Sequence, residues 1–159
     1  AAKRNYGLNI RIARFHNIFG PEGSWKDGRE KAPAAICRKV AEASENGQIE
    51  IWGDGNQTRS FLYVDECVEG VLRLMGSDFD GPVNIGSDEM VSINDLAKMA
   101  MSFDKKNLSI KHIDGPLGVR GRNSDNKLFR ENVRWDSKYS LKEGMKKTFD
   151  WINIQVNKT

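Results

Sequence analysis

The strongest constraint on the fold is an apolar run that ends in polar residues and a tight turn. Apolar and polar residues alternate over residues 8–14, which predicts a strand. The run leads into His16 and Asn17 and breaks at Gly20-Pro21, a turn signal. In open α/β sheets, ligands bind outside the carboxyl ends of the strands. We therefore expect a ligand loop to follow this strand.

Charged side chains are concentrated in the segment after the turn. Lys26, Arg29, Glu30 and Lys31 lie within a few residues of one another. A cationic loop at the end of a strand favours an anionic ligand. The same charges are equally typical of an ordinary solvated loop, so the residues alone leave both interpretations open.

Four helices are predicted from apolar residues at helical spacing and from capping residues. Their expected spans are 32–43, 65–75, 93–103 and 141–156. Pro33 fits the first turn of the first helix, Asp65 is the expected N-cap of the second, and Ser92 and Ser140 open capping boxes before the last two. The expected core face of the second helix comprises Val68, Val71, Leu72 and Met75.

Short strands are predicted between these helices, over residues 49–52, 58–64, 82–85 and 108–113, and residues 114–127 are predicted as a loop. Strands that alternate with helices indicate an α/β architecture. The helices are too few for a complete doubly wound sheet with a cofactor-binding half. The chain begins with the last turn of a predicted helix, which suggests part of a larger fold.

Composition narrows the function classes. The chain has 159 residues and a net charge of +3, which is compatible with an anionic small ligand and does not require nucleic acid. No apolar run approaches the roughly 20 residues of a membrane span, and no signal peptide is visible. Cys37 and Cys67 form neither a metal-binding spacing nor a disulfide framework. We expect a cytoplasmic protein without a metal site.

One glycine pattern is rejected as a dinucleotide-binding loop. Gly115, Gly118 and Gly121 have a suggestive spacing, but turn-forming residues follow them instead of a helix. The arginines of this loop, Arg120 and Arg122, are better candidates because guanidinium groups bind phosphate in bidentate fashion. The alternative of solvated loop arginines is equally compatible with the spacing.

Two further charged residues, Arg59 and Lys31, are candidates for ligand binding and for proton transfer. Arg59 follows the tight turn at residues 53–56 and can hold a diphosphate, or it can be an ordinary surface arginine. Lys31 stands beside Glu30, and a lysine can transfer protons when its surroundings adjust its pKa. An exposed ion pair is the alternative for these two residues.

These motifs together resemble a known superfamily. Residues 14–21, 53–55, 59–65 and 83–86, with Trp151, resemble the carboxyl-terminal half of the extended short-chain dehydrogenase/reductases. Within that superfamily, the likeness to the GDP-mannose 3,5-epimerase family covers nearly the whole chain. It rests on residues 25–35, 51–55, 57–61, 65–74, 83–92 and 118–126, of which the last two blocks are the most specific.

The resemblance implies a mechanism and a set of site residues. The family oxidises C4 of the bound hexose with NAD, inverts C3 and C5 by acid/base chemistry, and returns the hydride. Lys31 matches the family's acid/base lysine. The positions that match the family's substrate contacts are Asn17, Glu30, Lys31, Ala32, Lys39, Gln57, Thr58, Arg59 and Arg122.

The chain departs from the family in its cofactor residues. It lacks the glycine-rich turn, and none of Tyr6, Tyr63 and Tyr139 has a lysine four positions later. We assign no cofactor-binding residue, and neither cysteine matches the family's second acid/base residue. We therefore expect the substrate-binding portion of such an enzyme, with the NAD-binding Rossmann half largely absent, and no turnover by this chain alone.

The resemblance also implies an organisation and partners. Residues 1–20 correspond to the last Rossmann-type strand region and residues 21–159 to the part that binds the sugar nucleotide. The expected ligand is GDP-mannose or a related nucleotide sugar, and the family is typically homodimeric.

Two other interpretations remain. One is a different nucleotide-sugar enzyme, such as a 4-epimerase or a 4,6-dehydratase, in which no base is expected at Lys31. The other is a non-catalytic nucleotide-binding or interaction module. A nucleic-acid-binding module is disfavoured by the weak net charge and by the lack of interleaved aromatic and basic residues.

Overall fold

Helices and short strands alternate along the chain, as the sequence predicts. The computed structural model describes residues 2–116 and 118–158. The helices are α1 (Ala2–Tyr6), α2 (Ala32–Glu42), α3 (Val64–Met75), α4 (Ile93–Met101), α5 (Lys127–Val133) and α6 (Leu141–Asn157). The strands are β1 (Ile12–Phe15), β2 (Ile18–Phe19), β3 (Gln48–Trp52), β4 (Thr58–Ser60), β5 (Leu62–Tyr63), β6 (Pro82–Ile85), β7 (Met90–Ser92), β8 (Ser109–Ile113) and β9 (Gly121–Arg122).

The strand pairs are mostly parallel. β1 pairs with β6, β2 with β5, and β3 with β8, each in parallel. Strand β4 lies between β7, to which it is antiparallel, and β9, to which it is parallel. Parallel neighbours need crossover connections, which the helices supply. This arrangement confirms the expected α/β class.

The larger hydrophobic core lies where α2, α4 and α6 pack together and against β3. Its fully buried members include Val40, Leu96 and Met145. Two aromatic contacts extend it, an edge-to-face pair of Trp25 and Trp151 and a tilted pair of Phe103 and Phe149. The helices of this core carry the pocket wall described below.

The smaller core lies under α3 and α5, against β6. It consists of Leu62, Cys67, Leu74, Val83, Ile85 and Phe129. Gly70 of α3 permits this packing, because a Cβ there would lie 3.2 Å from Ile85 Cγ2 and 3.4 Å from Trp135. The side chain of Glu66 is also buried here, and it accepts a hydrogen bond of 2.7 Å from the backbone N–H of Lys138.

The predicted core face of α3 is wrong. Val68, Leu72 and Met75 are 54%, 57% and 65% exposed, and Val71 is only partly buried. The helix instead buries the side that carries Cys67, Gly70 and Leu74, together with Glu66. The helix is apolar on two sides, so spacing alone could not identify the side that packs against β6.

The predicted N-cap of α3 is also wrong. The helix begins at Val64, its N-cap is Tyr63, and no side chain caps it. Asp65 lies in the first turn, where a carboxylate interacts favourably with the helix dipole. Asp65 therefore lies at the predicted end of the helix, but it is not the N-cap.

Other boundaries differ in detail. Strand β1 begins at Ile12 instead of residue 8, and the extended segment at 58–64 is divided into β4 and β5. The predicted loop at 114–127 contains β9, and neither β7 nor α5 was predicted. The capping residues Ser92 and Ser140 are confirmed, since the Oγ atom of each accepts a hydrogen bond from the first helical turn.

No helix in the described part of the chain is long and apolar enough to cross a membrane.

Candidate functional site

The site begins at the carboxyl end of β1, where Asn17 links two segments. Asn17 adopts a left-handed conformation with φ of 48°, which asparagine tolerates better than most residues. Its Nδ2 donates a 2.9 Å hydrogen bond to the carbonyl of Ser60, and its own carbonyl accepts one of 3.2 Å from Leu62. Asn17 therefore holds the end of β1 against the junction of β4 and β5.

Two arginines stand side by side on neighbouring strands. Arg59 of β4 and Arg122 of β9 are register partners in a parallel pair. The Nη1 atom of Arg59 donates to the carbonyl of Thr58 at 2.7 Å. Burial lowers the pKa of His16, and the charges of Arg122 and Arg59 lower it further. The two guanidinium groups therefore make the surroundings of His16 electropositive, which favours an anion.

A bidentate ion pair holds the strand that carries Arg122. Arg120 Nη1 and Nη2 lie 3.1 and 2.8 Å from the two carboxylate oxygens of Asp54. The carbonyl of Arg120 also accepts a 2.9 Å hydrogen bond from the N–H of Thr58. Of the two loop arginines predicted as phosphate ligands, Arg120 is therefore occupied by Asp54. Arg122 remains beside Arg59.

A polar network that the sequence did not reveal supports the same loop. Ser124 Oγ donates to Asn126 Oδ1 at 2.7 Å, and Asn126 Nδ2 donates to Asp88 Oδ1 at 2.7 Å. Ser124 packs so closely on Gly86 that a Cβ there would lie 2.4 Å from its Oγ and 3.0 Å from His16 Cβ. The sequence contained one signal of this contact, namely Gly86, because glycine permits another segment to approach the backbone closely.

A pocket of about 470 Å³ lies between α2 and β3. Four of the predicted contacts line it, namely Glu30, Ala32, Lys39 and Gln57. Its apolar walls come from Ala35, Ile36 and Ile93, and Trp52 adds an aromatic surface. A pocket with apolar walls and a few polar groups is the usual form of a small-molecule site.

The charged groups of this pocket are held in place. Glu30 Oε1 lies 3.2 Å from Arg38 Nη2, and the same guanidinium contacts Glu42 at 2.9 Å. The N–H of its own backbone, more than the guanidinium of Arg38, holds the pKa of Glu30 below its ordinary value against the effect of burial. Lys39 Nζ donates to the carbonyl of Glu50 at 2.6 Å, and burial lowers the pKa of Lys39.

Lys31 lies between two pocket residues but is itself exposed. It occupies the N-cap position of α2, and its carbonyl accepts a 3.0 Å hydrogen bond from Ala35. Among the described residues, its ammonium group has no hydrogen-bond or ion-pair partner, so it is available to a ligand.

The predicted residues therefore fall into three neighbouring groups. Glu30, Ala32, Lys39 and Gln57 line the pocket, with Lys31 beside Glu30. Thr58 and Arg59 continue from Gln57 along β4 and meet Arg122. Asn17 contacts the end of that strand through Ser60. Sequence reasoning missed the roles of Asp54, Asp88, Ser124 and Asn126, which hold the loop.

The described part of the glycine pattern at 115–121 does not have the geometry of a dinucleotide-binding turn. The glycines at 115–121 lead into β9 instead of a helix, so they offer no helix N-terminus to a pyrophosphate. Leu117, within this pattern, lies outside the described residues. Within the described ranges, no group of three or more His, Cys, Asp or Glu side chains is arranged to hold a metal ion.

Comparison with known proteins identifies the family. The family model described as "NAD dependent epimerase/dehydratase family" matches residues 1–86, and the chain belongs to this family. The chain is 59% identical over 155 residues to GDP-mannose 3,5-epimerase from Arabidopsis thaliana. That match covers 98% of this chain and 41% of the relative. UDP-glucuronic acid decarboxylase 6 from the same plant is 35% identical over 143 residues, which cover 89% of this chain and 40% of that relative.

Solved structures agree with the fold. UDP-glucose 4-epimerase from Thermotoga maritima, solved with UDP-glucose, has a TM-score of 0.82 at 26% identity, with 97% of this chain and 49% of that chain covered. UDP-N-acetylglucosamine 4-epimerase from Methanobrevibacter ruminantium shares the fold with a TM-score of 0.86 at 21% identity, over 97% of this chain and 49% of that one. The chain thus spans about two fifths of the length of the curated relatives and about half of these structures.

Proposed function

We propose that this chain is the part of a GDP-mannose 3,5-epimerase that binds GDP-mannose and supplies Lys31 as the acid/base residue for inversion at C3 and C5. The observation that carries the proposal is the in-register pair of Arg59 and Arg122 next to the pocket between α2 and β3. The similarity to the Arabidopsis epimerase supports the choice of this activity over others in the family.

The arginine pair suits a diphosphate. A sugar nucleotide places two negative phosphates between its base and its hexose, and guanidinium groups bind phosphate oxygens strongly and in fixed geometry. Gln57 lies two residues before Arg59 on the same chain segment and lines the pocket. In this arrangement the diphosphate lies against the arginines, and the remainder of the ligand enters the pocket.

Lys31 is the proton-transfer group of the proposal. Its exposed ammonium lies on a flexible stem next to the pocket residues Glu30 and Ala32. Such a stem suits proton transfer at two carbons of one ring. The oxidation at C4 requires NAD, and we propose that the main NAD-binding loop belongs to the remainder of the complete enzyme.

The remaining parts of the proposal concern organisation. Residues 1–20 belong to the end of the cofactor-binding sheet, and residues 21–159 form the part that binds the sugar nucleotide. The complete enzyme is proposed to be a cytoplasmic homodimer.

Calorimetric titration with GDP-mannose, with UDP-glucose as the comparison ligand, tests the binding half of the proposal. We expect GDP-mannose to bind and Arg122→Ala to weaken it by roughly tenfold or more, because a hydrogen bond to a charged group is lost. Arg73→Ala is the matched control, since Arg73 lies on α3 and pairs with Glu69. A folded chain that binds no sugar nucleotide contradicts the proposal.

The catalytic half needs a complete enzyme. We expect Lys31→Ala, in a fusion of this chain to the preceding part of the Arabidopsis relative, to abolish proton exchange at C3 and C5 while GDP-mannose still binds. Exchange that continues unchanged in the variant removes Lys31 from the mechanism. No exchange at C3 or C5 in the unmutated fusion favours a 4-epimerase or decarboxylase activity instead.

A further inference from the structure

Asp54 is held in place by the turn between β3 and β4 and by the first turn of α4. Its Oδ1 accepts a 3.0 Å hydrogen bond from the N–H of Asn56, within the turn. Its carbonyl accepts one of 2.9 Å from Nδ2 of Asn94, at the start of α4. The carboxylate of Asp54 is therefore a fixed point on the surface beside β4.

This fixed carboxylate binds Arg120 through both of its oxygens, at 3.1 and 2.8 Å. The side-chain hydrogen bond from Arg120 keeps the pKa of Asp54 below its ordinary value, so the carboxylate is ionised at neutral pH. Two parallel hydrogen bonds fix orientation as well as distance. The guanidinium of Arg120 is therefore oriented by Asp54, although its side chain is 69% exposed.

Arg120 directly precedes β9, the short strand that carries Arg122. The pairing of β9 with β4 consists of two register positions, Thr58 with Gly121 and Arg59 with Arg122. The carbonyl of Arg120 accepts a 2.9 Å hydrogen bond from the N–H of Thr58. Each such hydrogen bond contributes little on its own. The ion pair with Asp54 is therefore a substantial part of what keeps Arg122 next to Arg59.

We infer that Asp54 is a positioning residue for the diphosphate of the bound sugar nucleotide. It acts through Arg120 on β9 and so sets the spacing between the guanidinium groups of Arg59 and Arg122. This inference rests on the proposed function, since it explains how the same anion site keeps its shape. A planar guanidinium matches phosphate oxygens only in a fixed geometry, so the spacing of the two groups affects affinity.

The sign of the effect distinguishes this role from simple electrostatics. Asp54 is a negative charge near a site for an anion, so its charge alone disfavours binding. If Asp54 had no positioning role, removing its charge would strengthen binding. The same would happen if Asp54 only kept Arg120 away from the phosphates. Weaker binding after removal of this charge is therefore specific to positioning.

Calorimetric titration of the purified chain with GDP-mannose tests the inference. An ionic strength of about 0.15 M is suitable, because it screens exposed charges beyond roughly 8 Å. We expect Asp54→Asn to weaken binding about fivefold, since it keeps an acceptor for Asn56 but loses the charge and one contact with Arg120. Asp54→Glu keeps the charge and should retain most of the affinity.

The matched control is Asp150→Asn. It neutralises an exposed carboxylate that pairs with Lys146 at 2.6 Å on α6, and it should leave the affinity unchanged. Urea unfolding of each variant checks that it folds.

A second background shows whether the effect passes through Arg122. In Arg122→Ala, the additional change Asp54→Asn should cause no further loss, because the guanidinium that it positions is absent. Arg120→Ala should weaken binding at least as much as Asp54→Asn, and combining the two should weaken it no further. A general disturbance of the fold would instead persist in both backgrounds.

The outcomes separate this inference from the proposed function. Unchanged or tighter binding in Asp54→Asn, or an equal loss in the Arg122→Ala background, overturns the positioning role while the sugar-nucleotide site stands. If the folded chain does not bind GDP-mannose, both proposals fail together.

Discussion

The two hydrophobic cores differ in how completely the chain encloses them. The larger core is surrounded by α2, α4, α6 and β3, and its central residues Val40, Leu96 and Met145 are fully buried. The smaller core is covered by α3 on one side only, and the opposite side of that helix exposes Val68, Leu72 and Met75. A helix that is apolar on two sides is typical of a layer packed on both faces. The larger core is therefore expected to carry most of the chain's stability.

Truncation of one leucine in the larger core and of one on the exposed side of α3 tests this difference with the largest expected effect. Leu96→Ala removes a fully buried side chain from the larger core and should lower the free energy of unfolding by about 2–5 kcal/mol. Leu72→Ala makes the same change on the exposed side of α3 and should alter it by about 0.5 kcal/mol or less. Urea unfolding of both variants measures the contrast, and equal losses would show that the two regions are enclosed alike.

A smaller effect is expected at the start of α6. Ser140 and Glu143 form a capping box, in which the Ser140 N–H donates to Glu143 Oε2 at 2.8 Å. Ser140→Ala should cost about 1 kcal/mol, measured by the same unfolding experiment. Ser137→Ala removes a nearby hydroxyl that caps no helix and is the control. An equal loss in both variants would mean that the capping box does not stabilise the larger core.

The smallest effect is a dependence on pH that belongs to the other region. Burial lowers the pKa of His16, at the end of β1, below its ordinary value of 6.5. Its stabilising contribution is complete above about pH 6.5 and is lost as the pH falls, because the unfolded chain then binds the proton more readily. Wild type should lose more stability between pH 7.5 and 5.5 than His16→Gln. Equal losses would exclude His16 as the cause.

Sequence patterns predicted the larger core well because its signals are local. The structure places helix α2 and strand β3 close to their predicted spans. It also confirms Ser92 and Ser140 as capping residues. Each depends on residues within a few positions of one another, and the packing of α2, α4 and α6 agrees with the local preferences.

The smaller core and the loop before α5 could not be predicted in the same way. The buried side of α3 is the side on which Gly70 leaves room for Ile85 and Trp135, and both of these residues are distant from it in the sequence. Strand β9 exists because it pairs with β4, and two residues carry no periodic signal of their own.

The candidate site shows the same division. Resemblance to known enzymes supplied the nine site positions, and the structure places four of them on one pocket. The ion pair of Arg120 with Asp54 was not predicted, because charge alone does not distinguish a phosphate ligand from a structural partner. Sequence could not predict that Glu30 Oε2 and Gln57 Oε1 are buried without a hydrogen-bond partner among the described residues, because this depends on donors from distant segments.

The pairing of β4 with β9 also has a consequence for the order of folding. Asp54 and Arg120 are 66 positions apart in the sequence, so their contact forms only after a long loop has closed. Contacts of high sequence separation form slowly, and those held by a few surface groups open first. The anion cluster of Arg59 and Arg122 is therefore expected to assemble late in folding. In amide hydrogen exchange, the N–H of Thr58 should exchange well before those of α2 and α6.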